Sequence, residues 1–423
     1  MEGLEYTLDE EEKRLNIYDK WPTKAKVIIG ILIGIIVLLV AIFIIYIVIK
    51  EKDDDDENKD KNNKYPNFIY KYILNISYTN DKIINSFKKG GPHYNETMGN
   101  INNGNDYGKS NRNIYDLFIP YTAVAKKNEY NYLILYVHSG GWYLGSKEEM
   151  QSLCIMSANQ GYISATVGYT LLLEENKKYN ANIFRILDEI TTCIQSIKNF
   201  LKLEGFNTEK LEMVIGGASA GGHLSLLYGY SMKDSSPIPI KFILDYCGPV
   251  TLDPDHWLKL KKDDQPLDNI DIEDIENAKK NDLMENLYPD DLELIKYMNR
   301  FYGLQYTDDE LKQMMVNNRL DKNNEKYKKM FPTLENAYPT HFIKSNSLPV
   351  ICVYGGKDKM VGIDQFAYLK SINEEYTKNI YFIYDKNAPH SLLYYNNTIN
   401  IELLTKVNIQ IANYSKLYFT SFE

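Results

Sequence analysis

The chain has 423 residues and a formal net charge of −9, with acidic and basic residues mixed along it. That length suits one large domain or two ordinary ones, and the charge balance excludes a partner that needs a broad basic face, nucleic acid above all. The four cysteines, Cys154, Cys193, Cys247 and Cys352, lie far apart in apolar stretches, a spacing of neither a zinc site nor a disulfide scaffold. Buried free thiols are expected, with one bridge left open if the domain is lumenal.

Residues 1–26 form a polar tail, and residues 27–49, VIIGILIGIIVLLVAIFIIYIVI, are apolar without interruption. At 1.5 Å of rise per residue this run spans about 35 Å as a helix, enough to cross a hydrocarbon core with some tilt. No cleavage-site pattern follows, so an uncleaved single-pass anchor is predicted. Lys13, Arg14, Lys20, Lys24 and Lys26 on one side nearly balance Lys50, Lys52, Lys59, Lys61 and Lys64 on the other, so charge leaves orientation open. Residues 50–66 follow; their stretch EKDDDDENKDKNNK has no apolar side chain and should be a solvated spacer.

From residue 67 to 423 the pattern is globular. NIYDLFIP (113–120) reads as an edge strand closed by proline, and YLILYVH (132–138) and YISATVGY (162–169) as buried strands. Residues 181–203 carry apolar side chains at helical spacing. LEMVIGG (211–217), IKFILDYCG (240–248), LPVICVYGG (348–356) and NIYFIYD (379–385) are further strands, with helical runs between several of them. Strands alternating with helices predict a mostly parallel sheet covered by helices on both faces, with the chemistry in loops beyond the carboxyl ends of the strands. Residues 251–345, acidic and mostly helical in pattern, interrupt the rhythm as a cap-like insertion would.

Within EMVIGGASAGGHLSL, Gly217-Ala218-Ser219-Ala220-Gly221 is a GxSxG between a strand and a helix at 220–232. A serine there rides a sharp turn that exposes its Oγ, and small neighbours relieve the crowding. A hydroxyl needs a base to become a nucleophile. In the order serine, acid, histidine, the loop after 349–355 supplies Asp358, with Asp364 second in line. The loop after 379–384 supplies His390, the one histidine beyond Asp358. Gly140 and Gly141 in HSGGWYLGS, with Ala220, can offer backbone N–H groups to an oxyanion. His138 and His223 read as structural groups, and the residues call for no metal or cofactor.

These motifs resemble those of the α/β-hydrolase superfamily, in its hormone-sensitive-lipase-like, arylacetamide-deacetylase-like esterase branch. The loop His138-Ser139-Gly140-Gly141-Trp142 is similar to that group's HGGGW, and Gly217-Ala218-Ser219-Ala220-Gly221-Gly222 to its elbow. GGKDKMV and NAPH match its acid and histidine loops. The resemblance spans about residues 110–415 and implies a carboxylic ester hydrolase acting on small-molecule or lipid esters. In its membrane-anchored members a single span precedes a catalytic domain in the lumen of the endoplasmic reticulum or secretory pathway. Three departures stand out: Ser139 for a glycine, Ala218 for an acid and Thr170 for an arginine. A catalytically silent binding protein and a serine peptidase of the same fold are the alternatives.

Overall fold

The computed structural model describes residues 66–78, 111–172, 181–252 and 291–304, together with 306–422 less 317–318, 322, 359, 393 and 396–397. The predicted tail and span, and all of the spacer but Pro66, lie outside the described residues. So does the stretch 253–290 of the cap-like insertion. Among the described residues no helix is long and apolar enough to cross a membrane.

The chain divides into two units. In the smaller, the described residues form one antiparallel pair, Tyr394–Tyr395 with Thr398–Ile399. The larger, Tyr65–Leu393 with Asn400–Glu423, is built on eight strands. In chain order these are β1 (Ile69–Ser77), β2 (Ile114–Pro120), β3 (Asn131–Val137), β4 (Ile163–Val167), β5 (Leu211–Ala218), β6 (Ile240–Tyr246), β7 (Val350–Gly355) and β8 (Ile380–Asp385). They lie side by side in the order β1-β2-β4-β3-β5-β6-β7-β8. Only β1 with β2 and β2 with β4 pair antiparallel; every other pairing is parallel.

Parallel strands need long returns, which explains the helices: α1 (Gln151–Asn159), α2 (Ile183–Leu203), α3 (Ala220–Ser231), α4 (Asp291–Phe301), α5 (Glu325–Glu335), α6 (Ile363–Ile372) and α7 (Ile401–Tyr418). Consecutive residues Leu133 to Val137 are all buried, as are Met213 to Ile215 and Phe242 to Tyr246, so both faces of the central strands are covered. Asn182 starts α2 by accepting from Arg185 N, and the apolar stripe Ile183, Ile186, Leu187, Ile190, Ile194, Ile197 and Leu201 is buried. All four cysteines are buried and unbridged, as their spacing predicts.

One predicted element changes place. Residues 114–120 are not an edge strand, because β1 pairs outside them, with Ile69 opposite Pro120. Pro120 is tolerated at the strand's last position, where the missing N–H breaks no run of ladder bonds. β1 itself, IYKYILNIS, mixes Tyr, Lys and Asn on a half-buried edge and so shows no clean alternation in sequence. The described part of the insertion is largely helical, as its pattern predicts, with one two-residue strand pair at Met315–Val316 and Arg319–Leu320.

Candidate active site

Pairing levels the carboxyl ends of five strands. Val137 lies opposite Gly217, Ala218 opposite Tyr246, Tyr246 opposite Val353 and Gly355 opposite Asp385. The loops leaving this edge carry His138 to Ser146, Ser219, Cys247, Asp358 and His390. Residues up to 252 positions apart in sequence, His138 and His390, are thus delivered to one rim by register alone.

Ser219 stands between β5 and α3 with φ 55° and ψ −119°, a conformation costly for a residue with a Cβ. Two bonds hold it there: its N–H donates to Tyr246 O at 2.8 Å, and its carbonyl accepts from His223 N at 3.0 Å. The turn closes only because its neighbours are small. A Cβ on Gly217 would sit 2.5 Å from the carbonyl of Gly221 and from Val137 O, and one on Gly221 would run into Val137 O as well. The glycines of the motif are therefore set by approach of β3 to the start of α3.

His390 Nδ1 donates to Asp358 Oδ2 at 2.7 Å. The other carboxylate oxygen accepts from Met360 N at 2.8 Å and Val361 N at 2.9 Å, so the loop's own backbone fixes the acid. Asp358 is buried and the His390 side chain is 18% exposed, which leaves the imidazole one open side. Burial works against the imidazolium, but Cys247 and the Asp358 carboxylate outweigh it and hold the His390 pKa well above the ordinary histidine value. Asp364 lies one turn on, at the start of α6, and the acceptor on the imidazole is Asp358.

Cys247 is a site residue that sequence reasoning did not pick out. It follows β6 with φ 48°, its N–H donates to Val353 O, and its Sγ donates to His390 O at 3.3 Å. Its sulfur, a ring nitrogen of His390 and a carboxylate oxygen of Asp358 all lie within 4.8 Å of one another. Because Tyr246, the residue before it, accepts from Ser219 N, the imidazole stands beside the strand ends that carry the serine. The available signal was a cysteine one step past a buried strand, which reads as core in sequence.

The glycine loop is held from several sides. Gly140, Gly141 and Trp142 have φ of 102°, 59° and 67°, three left-handed residues in a row. Among the described residues, the N–H groups of Gly140, Gly141 and Ala220 meet no acceptor. Ser139, the departure from the resembled pattern, donates its hydroxyl to Glu149 Oε2 at 2.8 Å, while Glu149 Oε1 accepts from Ser146 N at 3.1 Å. The hydroxyl thus ties the loop's first turn to its last. His138 stacks on Tyr169 with ring centroids 4.0 Å apart and donates Nδ1 to Ser139 O, and burial lowers its pKa to about 3. It serves the loop's shape as a neutral ring.

The departure at Thr170 also has neighbours that account for it. Thr170 offers both its N–H and its hydroxyl to Glu189, and Arg185 pairs with the same carboxylate at 2.8 Å. A guanidinium therefore reaches this buried position from α2 instead of from the strand loop. His223 donates Nε2 to Ala337 O at 2.8 Å and packs edge-on to Trp142, which packs edge-on to Phe301 of α4. Its pKa falls to about 4 through burial. A hydroxyl on a strained turn, an imidazole polarised by a carboxylate and free N–H groups nearby form a set that can perform acyl transfer.

The BD-FAE family model matches residues 116–372, more than half of the chain. Among solved structures, the chain is similar to a carbohydrate esterase from gut microbiota (12% identity, TM-score 0.49, covering 82% of this chain and 98% of that one). It is also similar to esterase B of Lactobacillus rhamnosis (12% identity, TM-score 0.48, 90% and 95%). A thermophilic esterase of Thermogutta terrifontis shows 14% identity and a TM-score of 0.48, covering 77% and 97%. No curated protein matches. The parallel sheet, the strand-turn-helix at Ser219 and the family match lead to one assignment: the chain belongs to the BD-FAE family of α/β-hydrolases and is a carboxylic ester hydrolase.

Proposed function

We propose that this esterase works through Ser219, His390 and Asp358, and that residues 27–49 anchor it in a membrane with residues 67–423 on the lumenal or outer side. The observation that carries the catalytic part is the 2.7 Å bond from His390 Nδ1 to a buried, backbone-held Asp358, at the rim where Ser219 is forced onto a φ of 55°.

The carboxylate fixes the imidazole tautomer with the proton on Nδ1, which leaves Nε2 free to accept. Nε2 takes the hydroxyl proton as Ser219 Oγ attacks the ester carbonyl, and Asp358 stabilises the imidazolium. The N–H groups of Gly140, Gly141 and Ala220 receive the oxygen that becomes negative. Collapse of the tetrahedral intermediate passes the Nε2 proton to the leaving alkoxide and leaves an acyl-serine. Water, deprotonated at the same nitrogen, then releases the acid.

The described part of the insertion 251–345 serves as a cap of this site, with Phe301 of α4 laid against Trp142 supporting that role. The apolar run 27–49 supports the anchor, and the precedent of similar anchored esterases supports lumenal placement. Fluorophosphonate labelling followed by peptide mapping tests the nucleophile: the expected adduct is on Ser219, absent in Ser219→Ala. An adduct elsewhere overturns the assignment. Protease protection in sealed vesicles tests the orientation, and digestion of residues 67–423 from the cytosolic face overturns it.

A further inference from the structure

Cys247 exchanges no proton and forms no bond in the steps just described, yet its sulfur is packed against the two groups that prepare the base. Cys247 Sγ, a His390 ring nitrogen and an Asp358 carboxylate oxygen lie within 4.8 Å of one another, and all three residues are held by backbone hydrogen bonds or buried loops. Thiolate, imidazole and carboxylate make a ligand set that zinc and similar thiophilic divalent cations take readily. In a tetrahedral zinc site, bonds of about 2.0–2.3 Å place ligand atoms roughly 3.3–3.8 Å apart. Since no separation among the three exceeds 4.8 Å, the widest has to close by about 1.5 Å at most, and the 2.7 Å bond between Asp358 and His390 has to open by about 0.6 Å.

We propose that Cys247, Asp358 and His390 form an inhibitory site for a thiophilic divalent cation, zinc being the probe of choice. The proposal rests on the role given above to His390. The cation binds the sulfur, Nδ1 and one carboxylate oxygen, with water as a fourth ligand. The thiol loses its proton to solvent. The proton on Nδ1 is displaced and the neutral ring is reprotonated at Nε2. That is the nitrogen that must be bare to receive the Ser219 proton, so the bound cation leaves every catalytic group present while forcing the wrong tautomer. Access is from the exposed side of His390. Cys247 is as buried as the other three cysteines, but none of those belongs to a cluster of this kind among the described residues, so the effect has one thiol to answer to.

The test uses the full-length protein in detergent and two readouts. Cobalt(II) titration of the wild type should produce a thiolate-to-cobalt charge-transfer band saturating at one equivalent. Zinc should suppress hydrolysis of p-nitrophenyl acetate, and a chelator should restore it. Cys247→Ser should lose the band and, measured against its own uninhibited rate, need on the order of 10-fold more zinc or beyond for half-inhibition, since even outer-shell groups change metal affinity by 10–100-fold. Cys247→Gly, suited to the φ of 48° at this position, gives the same comparison if the serine variant folds poorly. Ser219→Ala should keep the band, so a failure of the catalytic reading leaves the metal site to be judged on the cobalt spectrum alone. No band in the wild type, or equal zinc inhibition in wild type and the Cys247 variants, overturns the proposal.

Discussion

Two histidines near the serine show how little sequence distance says about chemistry. His223 is four residues from Ser219 and bonded to it through the backbone, yet its ring is turned into the core, donates to Ala337 O and is kept neutral by burial. His390 is 171 residues away, half-buried at the rim, and has a carboxylate against Nδ1 that raises its pKa. Both lie in the larger unit of the chain, and burial works against the charged form of each. The difference is the acid. A buried ring bonded only to a carbonyl is structure, whereas a ring bonded to a carboxylate can hold the proton that acyl transfer has to move.

The sharpest way to break this comparison is to exchange the rings' fates. His390→Ala and Ser219→Ala should each lower turnover by on the order of 10⁶, because members of a triad fail together. His223→Gln should stay within roughly 10-fold of the wild type, since local packing changes seldom cost more than one or two kcal/mol. A steady-state assay on a short-chain ester decides it; comparable losses at 223 and 390 would end the distinction. Asp358→Asn comes next, with an expected loss of roughly 10⁴ from the wrong tautomer. It should also move the acidic limb of kcat/KM. With the carboxylate in place, the base is free only above its raised pKa, so the limb should lie on the alkaline side of 6.5. In Asp358→Asn that support is lost while burial persists, so the residual activity should show its limb at lower pH. A limb that does not move would mean that the carboxylate does not set the imidazole's basicity.

Gly140→Ala probes the loop between the two rings. A Cβ there would meet the Leu144 carbonyl at a φ of 102°. The variant should lose about 10²–10³ in kcat, the range associated with one oxyanion donor, with KM changed much less. Unchanged kcat would remove this loop from the reacting centre.

Much of this site was legible before any coordinates, for reasons that are local. Ser219 stands out as a candidate in sequence because its turn has a steric requirement that leaves a mark, glycines at 217 and 221, where β3 and α3 come too close for side chains. Asp358 and His390, which the structure brings together, stand out as candidates because each sits just past a strand of the right order, and strand ends are readable from apolar runs. β1 was not found, because an edge strand of Tyr, Lys and Asn carries no strong period. Its absence made β2 look like an edge. Cys247 was not found because its role depends on two residues brought in from 111 and 143 positions away, and nothing near it in sequence records that meeting. Glu149, which holds the loop through Ser139, is likewise a consequence of tertiary placement.

The smallest expected effect concerns stability, and it tests the neutral half of the comparison. His223 is fully buried with a pKa of about 4, below its unfolded value near 6.5. Above that unfolded value both states hold a neutral ring and the group costs nothing. As pH falls below it, the unfolded chain takes up a proton that the native ring refuses until about pH 4, so native stability drops. One proton corresponds to about 1.4 kcal/mol per pH unit, or roughly 3 kcal/mol across the window. His223→Gln removes the titrating group and can keep a donor toward Ala337 O. Urea unfolding of both proteins at a series of pH values from about 7 to about 5 should show the variant's stability falling less steeply with acid, by close to one proton. Buried groups common to both, such as Asp245 with its pKa raised to about 7 by burial, cancel in the difference. Equal slopes would mean that the native fold accepts a charged ring at position 223, and the contrast with His390 would then rest on the carboxylate alone.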